Sequence, residues 1–137
     1  FDLPVLLHCV KAHGKLLDIV RQFSLNRVVL HSFSGSPDVV GQWNRALGPQ
    51  KVSLSFSYWI NGTEEAKLRP LLEKLADYQV LTETDMSIDK MLCTEHGEHL
   101  EGIFGQLCKI RGWSRDDGAR KLSDNWDRLV RMESMEL

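Results

Sequence analysis

A chain of 137 residues, 42% hydrophobic and 26% charged, carries enough apolar material for one packed domain, and it excludes a disordered or low-complexity protein. Its net charge of −2 excludes the basic footprint typical of nucleic-acid binders, although a bound metal can supply positive charge locally. The apolar runs fall far short of the roughly 20 residues of a membrane helix, so no membrane association is expected.

In chain order, LPVLLHC (3–9) is an apolar run without alternation and predicts a strand buried on both faces. Segment 11–23 sets Leu16, Leu17, Ile19, Val20 and Phe23 at helical spacing. RVVLHSF (27–33) is a second strand. Ser36 and Pro37 open a helix that should run to Leu47, where Gly48 and Pro49 stop it. KVSLSFSYW (51–59) is a third strand. Asn61-Gly62-Thr63 reads as a turn opening a helix rather than as a glycan site, with Pro70 either kinking that helix or starting its main part. YQVLTETD (78–85) is the fourth strand. A long helical pattern then covers 89–111, including Leu92, His96 and Leu100. Gly112 breaks it, Ser114 caps a short helix, and a last helical segment spans 125–132.

The order βαβαβαβ followed by helices implies an α/β fold with a parallel sheet and right-handed crossovers. The repeat length is that of a (β/α) barrel, of which a complete copy needs about 250 residues. Residues 1–137 therefore read as a single partial domain, the second half of such a barrel. The start at Phe1, with a strand-like run from Leu3, suggests a piece of a longer chain or a processed one. Half a barrel leaves two sheet edges and one face uncovered, so self-association is expected of it. Cys9, Cys93 and Cys108 are odd in number and match no zinc-knuckle spacing. They read as free thiols of a reducing compartment, cytoplasmic or nuclear.

Function in parallel α/β folds gathers at the C-terminal ends of strands. His8, His31 and Asp85 all stand there, and two imidazoles with a carboxylate suit zinc or another divalent ion. A strand-end histidine is also a common structural residue, and the spacing leaves both readings open. His96 and His99 read as a solvated helix face and His13 as surface. The four tryptophans read as packing, with Trp59, just past a strand end, the best placed to stack on a base at the rim.

LPVLLHCVKA (3–12) resembles the LPVIIHCREA segment of TatD-type metal-dependent hydrolases, VLHSFSG (29–35) their VLHCFSG, and SLSFS (53–57) their ISFSG strand. LLEKLADYQVLTETD (71–85) is similar to their segment ending in LLLETD. CKIRGWSRDD (108–117) resembles their helix–GxS–helix stretch, and Asn125 matches an asparagine of their closing motif. The resemblance implies a TIM barrel with one or two divalent ions (Zn, Mg or Mn) and phosphodiesterase or deoxyribonuclease activity. It also implies His8, His31 and Asp85 as metal ligands, Asp85 or an acid near it as proton acceptor, and DNA or another phosphodiester as substrate. Glu83 fits a supporting position or a partner for a nearby cation. Ser34 and Gly35 would shape the loop beside His31, Gly35 by a positive φ or a close approach of substrate. The family's arginine after HC is Val10 here, with Lys11 beside it, and Met86-Ser87 replaces its Ala/Ser-Pro. The family's HxH strand and middle-strand glutamate have no counterpart among these 137 residues. Those departures keep a second reading open: a catalytically degenerate barrel that serves as a protein-interaction partner.

Overall fold

A computed structural model describes residues 3–87 and 93–131. Strand and helix alternate as β1 (Val5–His8), α1 (His13–Val20), β2 (Val28–His31), α2 (Pro37–Leu47), β3 (Val52–Ser57), α3 (Glu65–Leu72) and β4 (Val80–Glu83). Two helices follow, α4 (Cys93–Arg111) and α5 (Arg115–Val130). The strands form one parallel sheet in the order β1-β2-β3-β4. This is the predicted α/β architecture: four consecutive (β/α) strands of a TIM-type barrel, then C-terminal helices.

The pleat sorts the strand residues into two faces. Val28, Leu30, Val52, Leu54, Phe56 and Val80 pack outward into one core with Leu17, Val40, Trp43, Leu68, Leu72, Ile103 and Leu107 of the helices. The inner face carries Val29 and Leu81, which pack on Leu129 of α5. It turns polar along β3, where Ser53, Ser55 and Ser57 are all buried. Register places Leu6 beside Val29, His8 beside His31, and Ser57 beside Glu83, so the polar part of the inner face lies at the C-terminal ends of the strands.

Several expectations change. β1 is not buried on both faces: its burial alternates, and Leu6 is 64% exposed on the inner side, because β1 is an edge strand of the described sheet. Pro70 neither starts α3 nor breaks it. It lies inside the helix, two residues before the last one, and leaves the Ala66 carbonyl without its i+4 amide. Residues 115–130 form one helix rather than two. Its buried stripe, Gly118, Asn125 and Leu129, keeps helical spacing throughout. Ser114 caps it as predicted, its Oγ accepting from the Asp117 amide at 3.1 Å. His13 is buried, not on the surface. It opens α1 with its ring edge-on to Phe33, centroids 5.2 Å apart. His96 and His99 are half-buried rather than solvated. The parts of the predicted helices at Leu92 and Met132, and the Cys93 thiol, lie outside the described residues. Cys9 and Cys108 are free thiols. Among the described residues no helix is long and apolar enough to cross a membrane.

Asn125 fixes α5 to the sheet. Its Nδ2 donates to the Asp77 carbonyl at 2.7 Å and the Val80 carbonyl at 2.8 Å, at the entry of β4. That position needs a side-chain amide that reaches two backbone acceptors at once, which explains an asparagine on a buried helix face.

Candidate metal centre

Glu83 ends β4 on the inner face, and three donors converge on it. His31 Nδ1 lies 2.6 Å from Oε2, Ser55 Oγ donates to the same oxygen, and Ser32 Oγ donates to Oε1. Ser32 Oγ also lies 3.3 Å from Ser57 Oγ, whose hydroxyl can donate to it, and the Ser32 amide donates to Ser55 Oγ at 3.3 Å. The serines of β3 are thus not filler. Ser55, with Ser32 from the end of β2, holds the carboxylate that meets the imidazole.

Consecutive strand residues point to opposite faces, yet His31 and Ser32 both reach Glu83. The chain achieves this by turning into the left-handed region at Ser32, with φ of 41°. Asp85 does the same on the other side of the site, with φ of 56°. Left-handed residues other than glycine are uncommon and cost on the order of 1–3 kcal/mol when held. These are the two non-glycine residues with positive φ among those described, and both flank the same cluster.

His31 faces two carboxylates with its two nitrogens, and the geometries differ. The 2.6 Å contact at Nδ1 is a charge-assisted hydrogen bond in which Nδ1–H donates to Glu83. That fixes Nε2 as the nitrogen with the free lone pair. Nε2 lies 3.1 Å from Asp85 Oδ1, which is also an acceptor. Two lone pairs at that range need positive charge between them: a second ring proton, or a cation that both atoms ligate. Ligands at about 2.0–2.2 Å from one zinc ion lie roughly 3 Å from each other, so the spacing suits a shared ion. Ligand atoms of His31, Glu83 and Asp85 all lie within 4.8 Å of one another. The arrangement, with the far nitrogen of a ligating histidine held by a carboxylate, is the usual supporting shell of a metal site.

The structure therefore brings His31, Glu83 and Asp85 together, with Glu83 on the Nδ1 side of the imidazole and Asp85 on the Nε2 side. His8 is exposed at the end of β1, its ring 5.6 Å from that of His31 and tilted by 48°, beside the compact cluster and not within it. Gly35 does not take a positive φ. A Cβ there would meet the Phe33 ring at 2.5 Å, so its smallness serves packing, and the left-handed residue of the loop is Ser32. Val10 is exposed where the resemblance expects arginine.

Sequence reasoning passed over Ser55, Ser57 and Asn61 as site residues. The alternation in VSLSFS, with serine on every second position, was the available signal. Asn61 is buried. Its Oδ1 accepts from the Ser57 amide at 3.0 Å and its Nδ2 donates to the Phe33 carbonyl at 2.8 Å, tying the ends of β2 and β3 together. Both ends of its amide are spent, which agrees with a structural turn and not a glycan site.

Comparison with known proteins agrees with this geometry. The profile of the family described as TatD related DNase matches residues 1–131. The chain is 30% identical over 135 residues to the uncharacterized metal-dependent hydrolase YjjV of Escherichia coli, covering 91% of this chain and 49% of that protein. It is 37% identical over 91 residues to an uncharacterized deoxyribonuclease of Saccharomyces cerevisiae, covering 63% of this chain and 29% of the relative. In fold it is similar to the crystal structure of a TatD family hydrolase from Entamoeba histolytica, with a TM-score of 0.74 at 14% identity over 94% of this chain and 51% of the other. The chain thus spans half or less of the length of the curated relatives it matches. With its profile matched nearly end to end and its strand-end cluster assembled at the expected rim, the chain belongs to the TatD related DNase family.

Proposed function

We propose that this chain contributes to a metal-dependent phosphodiesterase, with DNA as the first substrate to test. The observation that carries the reading is the pair of acceptor atoms, His31 Nε2 and Asp85 Oδ1, 3.1 Å apart while Nδ1 is occupied by Glu83. His31 and Asp85 would hold a divalent ion, with His8 at the open side. The mixed nitrogen and oxygen donors favour zinc or manganese over magnesium. When bound, such an ion lowers the pKa of water and polarises a phosphoryl oxygen.

The chain's own residues do the rest. Glu83 fixes the tautomer and orientation of His31 through the Nδ1 bond. Ser32 and Ser55 fix Glu83 in turn. Asp85, or an acid near it, would accept the proton of an attacking water. The net charge of −2 fits a site that recruits phosphate through metal rather than through a basic surface.

The alternative, a barrel kept as an interaction partner, draws on the exposed Val10 in place of arginine. One experiment separates the two. Metal content of the purified chain, alone and in a version extended N-terminally, is measured by elemental analysis beside His31→Ala and Asp85→Asn, together with hydrolysis of DNA before and after chelation. Retention of one or two ions, lost in both variants, with chelator-sensitive turnover supports the hydrolase. Metal content no higher than in His31→Ala, with no turnover, favours the partner reading.

A further inference from the structure

Trp59 stands where a strand has just ended and solvent begins. It is 63% exposed, two residues beyond Ser57, the inner-face residue in register with Glu83. Two residues of chain span at most about 7 Å, so Trp59 belongs to the rim of the site. β3 lies between β2 and β4, the strands that bring His31 and Asp85 together.

The mount beneath Trp59 is rigid. Residues Tyr58–Gly62 form a π-type turn, a rare geometry that is often found at functional sites. Tyr58 is wedged between two glycines. A Cβ at Gly62 would strike its ring at 2.5 Å, and one at Gly102 of α4 would strike it at 2.6 Å. Asn61, in the same turn, is buried and doubly bonded to β2 and β3. His99 of α4 meets the Trp59 indole edge to face, centroids 5.3 Å apart at 82°, and also contacts Tyr58 at 5.9 Å. An indole packed on one side and open on the other has less rotational freedom to lose when a ligand arrives.

We propose that Trp59, braced by His99, is a stacking platform for an unpaired nucleobase of the substrate. This rests on the phosphodiesterase reading and adds to it a named residue that positions a substrate base. An exposed, preorganised indole beside a phosphate-directed site has the chemistry by which sequence-tolerant proteins hold single strands. It also supplies affinity that a chain of net charge −2 does not obtain from basic residues.

The test is binding of a fluorescently labelled thymidine decamer, and of a decamer with abasic linkers of the same charge, to the chain and to Trp59→Ala and Trp59→Phe. Stacking predicts that Trp59→Ala weakens thymidine binding by roughly five- to a hundredfold. Trp59→Phe should keep most of the affinity, and the abasic strand should not distinguish the three proteins. Equal thymidine affinity in Trp59→Ala and the parent chain overturns the platform, as does an equal loss for the abasic strand. No measurable binding by the parent chain overturns it too. Far-UV circular dichroism of each variant guards against misfolding. Metal retention at His31, measured on the same samples, reports separately on the phosphodiesterase reading.

Discussion

Glu83 is the residue whose removal most directly tests the assigned geometry. Glu83→Ala deletes the acceptor of three donors: His31 Nδ1, Ser32 Oγ and Ser55 Oγ. The three losses are unequal. Ser32 can turn its proton to Ser57 Oγ at 3.3 Å, and the half-exposed His31 can turn to water. Ser55, 4% exposed, keeps only the bond it accepts from the Ser32 amide, and its hydroxyl proton is left without an acceptor. One buried, unpaired donor costs about 1–3 kcal/mol, the expected loss of folding stability. With the imidazole no longer held, metal affinity should fall about 10–100-fold. Glu83→Gln should do less harm. Its carbonyl can take the Oε2 place facing His31 and Ser55, while its amide turns to Ser32, whose hydroxyl can accept. A loss near the lower end of that range is expected, with stability almost unchanged. Isothermal titration with manganese or zinc gives the affinities, and urea unfolding gives the stabilities. Wild-type affinity in Glu83→Ala would refute the supporting role. A loss of more than about a thousandfold would refute it in the other direction, showing that Glu83 is itself a ligand.

The remaining predictions concern the frame. Gly102→Ala should destabilise by about 1–3 kcal/mol in urea, because its Cβ would strike Tyr58, whereas Gly97→Ala in the same helix meets open space and should stabilise by about 1 kcal/mol. Asn125→Ala should cost about 1–3 kcal/mol by leaving the Asp77 and Val80 carbonyls unpaired, read from the same unfolding curves. Burial lowers the pKa of His13 below its ordinary 6.5, against a smaller opposing contribution from a hydrogen bond to the Cys9 backbone. The unfolded chain therefore binds the extra proton first. This contribution to stability is complete above pH 6.5 and is lost as the pH falls through the lowered value. His13→Leu should flatten that part of the profile, measured as the urea midpoint between pH 8 and pH 5.

The frame was legible because each of its signals is local. Ser36-Pro37 at the start and Gly48 at the end of α2 mark boundaries that the structure reproduces at Pro37 and Leu47. The strand-end histidines and Asp85 were legible as candidates for the same reason. What failed to show depends on contacts between distant segments. His13 looks like a polar residue at a helix start, and only the Phe33 ring, 5.2 Å away, makes it core. β1 has the composition of a strand with both faces covered, and only its place at the sheet edge exposes Leu6. The helix 115–130 looked interrupted, because the pattern does not reveal that Gly118 fits against Cys108, where a Cβ would approach the sulfur at 2.6 Å.

The serines of β3 settle what kind of face the sheet presents. Outward, β3 carries Val52, Leu54 and Phe56, the ordinary content of a buried parallel strand. Inward, the equivalent positions carry three hydroxyls, although Val29 and Leu81 show that the same face accepts aliphatic packing lower down. A strand selected only for stability gains more from burying valine than serine, since each buried hydroxyl must find a partner to break even. Here the hydroxyls of Ser32 and Ser55 find one partner, Glu83, and Ser32 reaches it only through a left-handed backbone that carries its own cost. Two penalties, accepted by adjacent strands at one spot, converge on the orientation of a single imidazole. The proposed metal site gives that convergence a use, since it requires His31 Nε2 to be presented beside Asp85.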